Sequence, residues 1–369
     1  MDPFYLEPSV QHYDWGRSGP DAFIPQLLEI PAQNGTPYAE LWIGAHPLSP
    51  SRALPSGIPL DRFIREHPET LGTKLKGKSL PFLMKVIDAA RGLSIQVHPN
   101  AAQARIGHKK LYYGDSNPKS EMIIAVSDFF LLSGFRKFSE IKKIWGSASG
   151  LKDLIRPGDS LQTLYRRVMT LDQNKVNGIL GGIVQRLSEK SYGKESLEYW
   201  LLRADSDRCP TALKDRGLFS FYLLNLVRLK PGQGHWISPG QIHSHLEGTG
   251  IEVMTNSDNV VRGGLTSKPM NIPELLKITS YKGGNPKILE AGKDGRYSTA
   301  EFSVRRLTVK AALPSARPQI LLAVQGQAFV SASGKKYPLK RGQILFCPAQ
   351  SRPVQFIPQE NGAEVYACG

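Results

Sequence analysis

Apolar and polar positions change their period twice along this chain. Between residues 36 and 135 apolar residues alternate or form short runs ending at Gly, Pro or Asn, as in LPFLMKVIDA and LSIQVHPN. That pattern predicts strands separated by turns. EMIIAVSDFFLLSGF reads as two strands with a break at Ser127-Asp128. The Pro- and Gly-rich segment before Tyr38 reads as ordered loop. From about residue 138 the period becomes helical. Val176, Ile179, Leu180, Ile183, Val184 and Leu187 fall on one helix face. FSEIKKIWGSASGLKDLIR, SLQTLYRRVMTL and KESLEYWLLRA extend the helical block. Gly178, Gly181 and Gly182 weaken the helix they sit in, which suggests that some permit close packing. Strand character returns at LLNLVRLKPGQGHWISPG and continues through IHSHLEG and IEVMTNSDNVVRGGL. Beyond about residue 285 the chain is all short strands with frequent turn signals, the pattern of a sandwich or closed barrel.

The expected organisation is therefore mainly β with an inserted helical unit. Residues 1–137 and 223–280 make one β unit, 138–222 the helical insertion, and 281–369 a second β unit. A length of 369 residues suits two or three such units, and 40% hydrophobic residues suffice to build their cores. No apolar run is long enough to span a bilayer, so no membrane partner is expected. The start, MDPFYLEPSVQHYDWG, lacks the basic and apolar regions of a signal peptide. Cys209, Cys347 and Cys368 are far apart and odd in number, which fits reduced thiols in the cytoplasm. The net charge of +15 allows two readings, nucleic-acid binding or clefts that attract small anions. The basic residues are spread along the chain and no nucleic-acid motif is present, so the second is preferred.

One constellation carries chemistry. Gln96 and His98 stand two apart in a strand and share a face, while Ile95 and Val97 face the other way. Glu121 opens a later strand, and His243 follows a Pro-Gly turn. Two imidazoles, a carboxylate and an amide oxygen suit Zn²⁺, Fe²⁺, Mn²⁺ or Ni²⁺. Singly, each residue is as readily a packed or surface side chain. Together, Gln96-x-His98, Glu121 and Gly240-x-x-His243 resemble the His-x-His, Glu, Gly-x-x-His pattern of cupin barrels, with Gln in the first His position.

Longer blocks sharpen the resemblance. HYDWGRS, YAELWIGAHPLSPS, LPFLMKVIDAARGLSIQVHPN and SDNVVRGGLTSK resemble, in order, blocks of the type I mannose-6-phosphate isomerase family, across about residues 13–268. The resemblance implies two cupin-like jelly-roll barrels plus a helical domain. It also implies interconversion of mannose 6-phosphate and fructose 6-phosphate through a cis-enediol. One Zn²⁺ per chain, or another divalent metal, would be held by Gln96, His98, Glu121 and His243. The C-terminal barrel contains no histidine and would carry no metal. The resemblance places Glu40, Lys85, Lys119, Glu252 and Arg262 in the substrate cleft, with Lys268 at its end. Arg262 would stabilise the developing oxyanion as a fixed charge. Glu252 and Lys119 are both candidate proton carriers. Lys85 and Lys268 would contact phosphate or sugar hydroxyls, and Glu40 would bind substrate, although it would serve equally as a turn carboxylate or beside a ligand histidine.

Two departures stand out. The family usually reads Asn-His-Lys-Pro-Glu where this chain has Asn117-Pro118-Lys119-Ser120-Glu121. It usually has Tyr where this chain has His245, which is expected to line the cleft, leave the metal alone and titrate near neutral pH. The expected partner is a small phosphorylated sugar, with the protein a monomer. A non-catalytic cupin that senses a sugar phosphate, or an isomerase of a different sugar phosphate, are the other readings.

Overall fold

The structure, a computed structural model, describes residues 1–73, 75, 79–147, 150–209, 211–313, 317–351 and 353–369. Over these residues the protein is mainly β with several helices. Its strands group into sheets of eleven, eight, four and two, and their pairing orders close no ring. The expected break at Ser127-Asp128 separates strands Glu121–Ala125 and Phe129–Phe135.

The helical block forms where its period changes. Phe138–Ser147, Leu161–Met169, Gln173–Ser188 and Leu197–Arg208 are α-helices. Ala148 and Ser149, within the first predicted helical stretch, lie outside the described residues, as does Arg352 in the C-terminal strands. Ser160 and Thr163 form a capping box, and Ser196 accepts from the Tyr199 amide, so local chemistry sets these starts. Val176, Leu180 and Ile183 are buried in a core that includes Trp145, Leu164 and Trp200. Gly178 and Gly181 do not serve close packing: a Cβ added at either meets nothing within 4 Å, and at Gly182 only the Arg186 side chain, at 3.5 Å.

That same helical core takes in Ile95, Val97, Ile242 and Leu246. Side chains alternate across a strand, so burying these positions against the helices turns Gln96, His98, His243 and His245 to the opposite face. The helical unit thereby fixes which way the candidate ligands point.

The strand His243–Thr255 organises the site. Its first half pairs with Phe129–Phe135 and with Gln96, and its second half with Glu121–Ala125 and Phe82–Ala89. The switch falls at Gly248, where φ is +135° and an added Cβ would lie 2.6 Å from the Asp128 carbonyl oxygen and 2.7 Å from Phe129 Cα. Only glycine fits there. Gly248→Ala is expected to destabilise the protein by about 2–4 kcal/mol in urea unfolding, from left-handed strain and backbone overlap together.

The segment before Tyr38, expected as loop, contains strands Phe4–Glu7 and Ser9–Gln11 and helix Phe23–Leu28. Phe4 and Tyr5 pair with Phe346 and Leu345, more than 300 residues away. A strand whose partner is that distant leaves little local signal. Met84 and Val86 of the central strand share a core with Phe346 and Tyr366, which joins the two β regions.

Candidate active site

Three side chains converge where the strands meet. The ligand-capable atoms of His98, Glu121 and His243 lie within 4.8 Å of one another, and all three residues are buried. Glu121 Oε1 is 3.2 Å from His98 Nε2, and Oε2 is 3.2 Å from His243 Nε2. Each imidazole is oriented from behind. His98 Nδ1 lies 2.9 Å from the Asn259 carbonyl and His243 Nδ1 3.0 Å from the Gln241 carbonyl. A carbonyl only accepts, so each Nδ1 carries a proton, and in the neutral ring each Nε2 presents a lone pair to the carboxylate. Burial pushes the His98 imidazole down to about 4, so it is neutral near pH 7. Acceptors thus face acceptors, and His98 Nε2, His243 Nε2 and Glu121 Oε2 are buried without hydrogen-bond partners. Such an arrangement is costly alone and fits a divalent cation. Burial opposes the Glu121 charge, while the Lys119 ammonium 3.2 Å away favours it and draws the carboxyl below its usual range.

The neighbouring strands supply a second array. Trp42 pairs with Lys85, and Lys85 with Glu252, so their side chains share one face. Lys85 Nζ sits 3.2 Å from Glu40 Oε2, 3.6 Å from Glu252 Oε2 and 4.8 Å above the Trp42 ring. Trp42 Nε1 donates to Glu40 Oε2 at 2.5 Å. Burial disfavours the Lys85 charge, yet Glu40 and Glu252 more than restore it and raise the ammonium above the ordinary lysine range. Glu252 moves the other way. Burial, then the Glu121 carboxylate, push it up to about 8 against the pull of Lys85.

A cleft of about 290 Å³ lies over both groups. Glu40, Lys85, Gln96, Lys119, Glu121, His245, Glu252, Arg262 and Lys268 all line it, while His98 and His243 lie deeper. Gln96 pairs with His243 on one side and Arg262 on the other. Arg262 is half-buried and has no hydrogen bond or ion pair among the described residues, so its guanidinium is free for a ligand. Lys268 is exposed at the rim.

His245 lies outside the three-residue group, its ring 6.0 Å from that of His243 and edge-on to Phe129. Its nitrogens are buried without hydrogen-bond partners, and its closest acid is Glu252 at 3.9 Å. The expectation that it titrates near neutrality is not met, because burial pushes it down to about 3. It remains a neutral ring across the physiological range.

The other departure is accommodated locally. Ser120 Oγ accepts from Trp236 Nε1 at 2.8 Å and donates to Glu301 at 3.3 Å. The Pro118 carbonyl accepts from Thr255, and Lys119 stays buried with Nζ 3.2 Å from Glu121. The SDN motif secures this loop from the far side. Ser257 donates to Asp115, and Asn259 Nδ2 donates to Asp115 and Asn117, while the Asn259 carbonyl holds His98. One short motif therefore positions both a candidate ligand, His98, and the loop leading to Lys119.

Tyr13, Trp15, Trp42, Asp258 and Arg208 also line the cleft and were not singled out from sequence. The first four sit inside the quoted blocks, which was the available signal. Arg208 ends a helix of the insertion, where nothing in the sequence marks it. It donates to Asp14 and to the Gly92 carbonyl, both at 3.0 Å.

A β-sheet enzyme with a buried two-histidine, one-carboxylate metal-binding group beside a lysine–carboxylate array is the class that this fold and site define. Residues 4–138 match the catalytic domain of phosphomannose isomerase type I. The chain is 32% identical to mannose-6-phosphate isomerase of Escherichia coli, over 97% of this chain and 98% of that one. It is 31% identical to mannose-6-phosphate isomerase 1 of Arabidopsis thaliana, over 94% and 89%. The crystal structure of a lysine-to-alanine mutant of phosphomannose isomerase from Salmonella typhimurium superposes with a TM-score of 0.84 at 28% identity, covering 99% of each chain. A mannose 6-phosphate isomerase structure bound with zinc and yttrium matches with a TM-score of 0.82 at 28% identity, over 100% of this chain and 99% of that one. The chain belongs to the type I phosphomannose isomerase family.

Proposed function

We propose that this protein interconverts mannose 6-phosphate and fructose 6-phosphate, with Zn²⁺ held by Gln96, His98, Glu121 and His243. The observation that carries the metal assignment is the convergence of His98 Nε2, His243 Nε2 and Glu121 Oε2, all buried and none with a hydrogen-bond partner. When bound, a divalent ion supplies Lewis acidity toward the sugar oxygens.

The chain's own residues account for the rest. The net change moves one proton between C2 and C1 and one between the two oxygens. Glu252, raised by burial toward neutral pH, is suited to take the carbon-bound proton and return it to the neighbouring carbon. Lys119, beside Glu121, is the other candidate carrier. Lys85 keeps its charge throughout, holding Glu40 and Glu252 in place and offering a donor to a sugar hydroxyl. Arg262 contributes fixed positive charge where negative charge develops on oxygen. Lys268, at the rim, is placed to meet the phosphate, and His245 shapes the cleft wall as a neutral ring.

This reading extends to the architecture. Two cupin-like barrels would be formed by residues 1–137 with 223–280, carrying the metal, and by 281–369, flanking the helical unit 138–222. The strand Phe4–Glu7 would lie in the second barrel's sheet. Buried, unpaired cysteines accord with a cytoplasmic enzyme, which we take to be a monomer.

A coupled assay with mannose 6-phosphate, with and without chelator, tests the activity. Turnover that chelator abolishes and Zn²⁺ restores is expected; sugar-phosphate binding without turnover would favour a sensor. Arg262→Lys keeps the charge and loses the planar fork. It is expected to lower kcat by about 10²-fold with metal content unchanged, as removal of one oxyanion donor does. Unchanged kcat with a raised KM would instead make Arg262 a substrate-binding residue.

A further inference from the structure

Beside His243, lining a second cavity of about 400 Å³, runs a polar chain that the proposed mechanism does not use. Ser133 and His235 are fully buried. His235 Nδ1 lies 3.0 Å from the Lys287 carbonyl, which only accepts, so the proton is on Nδ1 and Nε2 is an acceptor. Ser133 Oγ, 2.8 Å from that Nε2, therefore donates to it. Gln241 Nε2 donates to Ser133 Oγ at 2.7 Å, and Gln241 Oε1 accepts from Ser238 Oγ at 3.2 Å. Both ends of the Gln241 amide are thus tied. The Gln241 backbone carbonyl is the group that accepts the His243 Nδ1 proton at 3.0 Å. Ser133 is also the register partner of His243 on the adjacent strand.

Every hydrogen in this chain has one direction. It runs from Gln241 through Ser133 and His235 to a fixed backbone carbonyl. Ser133 and His235, the buried members, are satisfied by each other and by the half-buried Gln241 amide, so rotation of either would leave a buried polar atom unpaired. Backbone hydrogen bonds hold the main chain on either side, Gly240 N–H to the His98 carbonyl at 2.8 Å, Gln241 N–H to the Ser238 carbonyl at 3.0 Å and Gly134 N–H to the Ile242 carbonyl at 2.8 Å, and the side-chain chain adds the tie at Gln241 itself. Burial also pushes the His235 imidazole down, consistent with a neutral ring that accepts at Nε2.

We infer that His235 and Ser133, acting through Gln241, are positioning residues that hold the His243 ring and its tautomer for metal binding. The inference rests on the reading of His243 as a ligand. Outer partners of metal-bound histidines typically affect affinity by about 10–100-fold.

The test compares Ser133→Thr with Ser133→Val in the full-length protein. Thr keeps the hydroxyl and Val puts a methyl group in its place, so the effect of added bulk is common to both. Zn²⁺ affinity is measured by competition with a chromogenic chelator, and Tm of the metal-free protein reports the fold. The Val variant is expected to bind Zn²⁺ about 10–100-fold more weakly than the Thr variant. A purely structural role for the hydroxyl would lower the metal-free Tm and leave the two affinities alike, which overturns the inference. Gln241→Met keeps the backbone carbonyl and side-chain length without hydrogen bonds. It is expected to weaken Zn²⁺ binding similarly, and it decides the matter if residue 133 tolerates neither change; unaltered affinity there is also a refutation. His243→Ala separates the two levels. If it retains Zn²⁺, the ligand reading itself fails, whereas loss of Zn²⁺ there with full affinity in Gln241→Met removes only the positioning role.

Discussion

His98→Ala and His243→Ala are each expected to lose the bound metal and, with it, turnover. Each substitution removes one of two imidazoles aimed at Glu121 and leaves the carboxylate facing a single nitrogen. Loss of a partner behind a ligand already weakens metal binding by about 10–100-fold, and loss of the ligand itself should exceed that. Metal analysis after desalting, beside the coupled assay, provides the check. The variants should stay folded. Removing an imidazole whose buried Nε2 has no hydrogen-bond partner relieves an unsatisfied polar atom in the metal-free state, so metal-free Tm is expected to hold or rise. Full metal occupancy in both variants would remove these residues from the site.

Glu252→Gln is expected to lower kcat by about 10²–10⁴-fold, the usual contribution of a positioned general base, with metal content unchanged. Glutamine has the same shape and cannot accept the proton. Glu252 stands apart from the cluster of His98, Glu121 and His243, so the metal should remain. A pH dependence follows from its environment. The base form is the carboxylate, and a group pushed up to about 8 loses that form as the pH falls through this value. Activity should therefore decline on the acid side at a pH well above the ordinary glutamate range. A cation on Glu121 relieves part of the push and places the limb between that range and about 8. The limb should vanish in Glu252→Gln. If both rate and limb persist, the proton is carried elsewhere, and Lys119 becomes the candidate.

Much of the site was legible because its residues sit in short, ordered blocks. Strand period puts Gln96 and His98 on one face and Ile95 and Val97 on the other, and the helical unit that buries Ile95 and Val97 sets which face meets the cleft. Arg208 was not legible. It reaches the cleft from the end of an inserted helix, and its role depends on contacts to Asp14 and Gly92, over a hundred residues away. His245 was legible as a cleft residue but not in its chemistry. An isolated imidazole titrates near neutrality, and only complete burial beside Phe129 and His243 keeps it neutral.

The sequence by itself determined where helix gives way to strand, which face each ligand strand buries, and the family to which the chain belongs. These are local matters, governed by side-chain period, caps and turn residues within a few positions of one another. Tertiary structure alone decided three things. It paired Phe4–Glu7 with a strand more than 300 residues distant. It switched the pairing of one strand at Gly248, so that its two halves bring His243 and Glu252 to the same site from different partner strands. It also set the proton affinities of Glu252, Lys85 and His245. Pairing depends on partners that no local window contains. Proton affinity depends on desolvation and neighbouring charge, which do not exist until the chain has closed around the site.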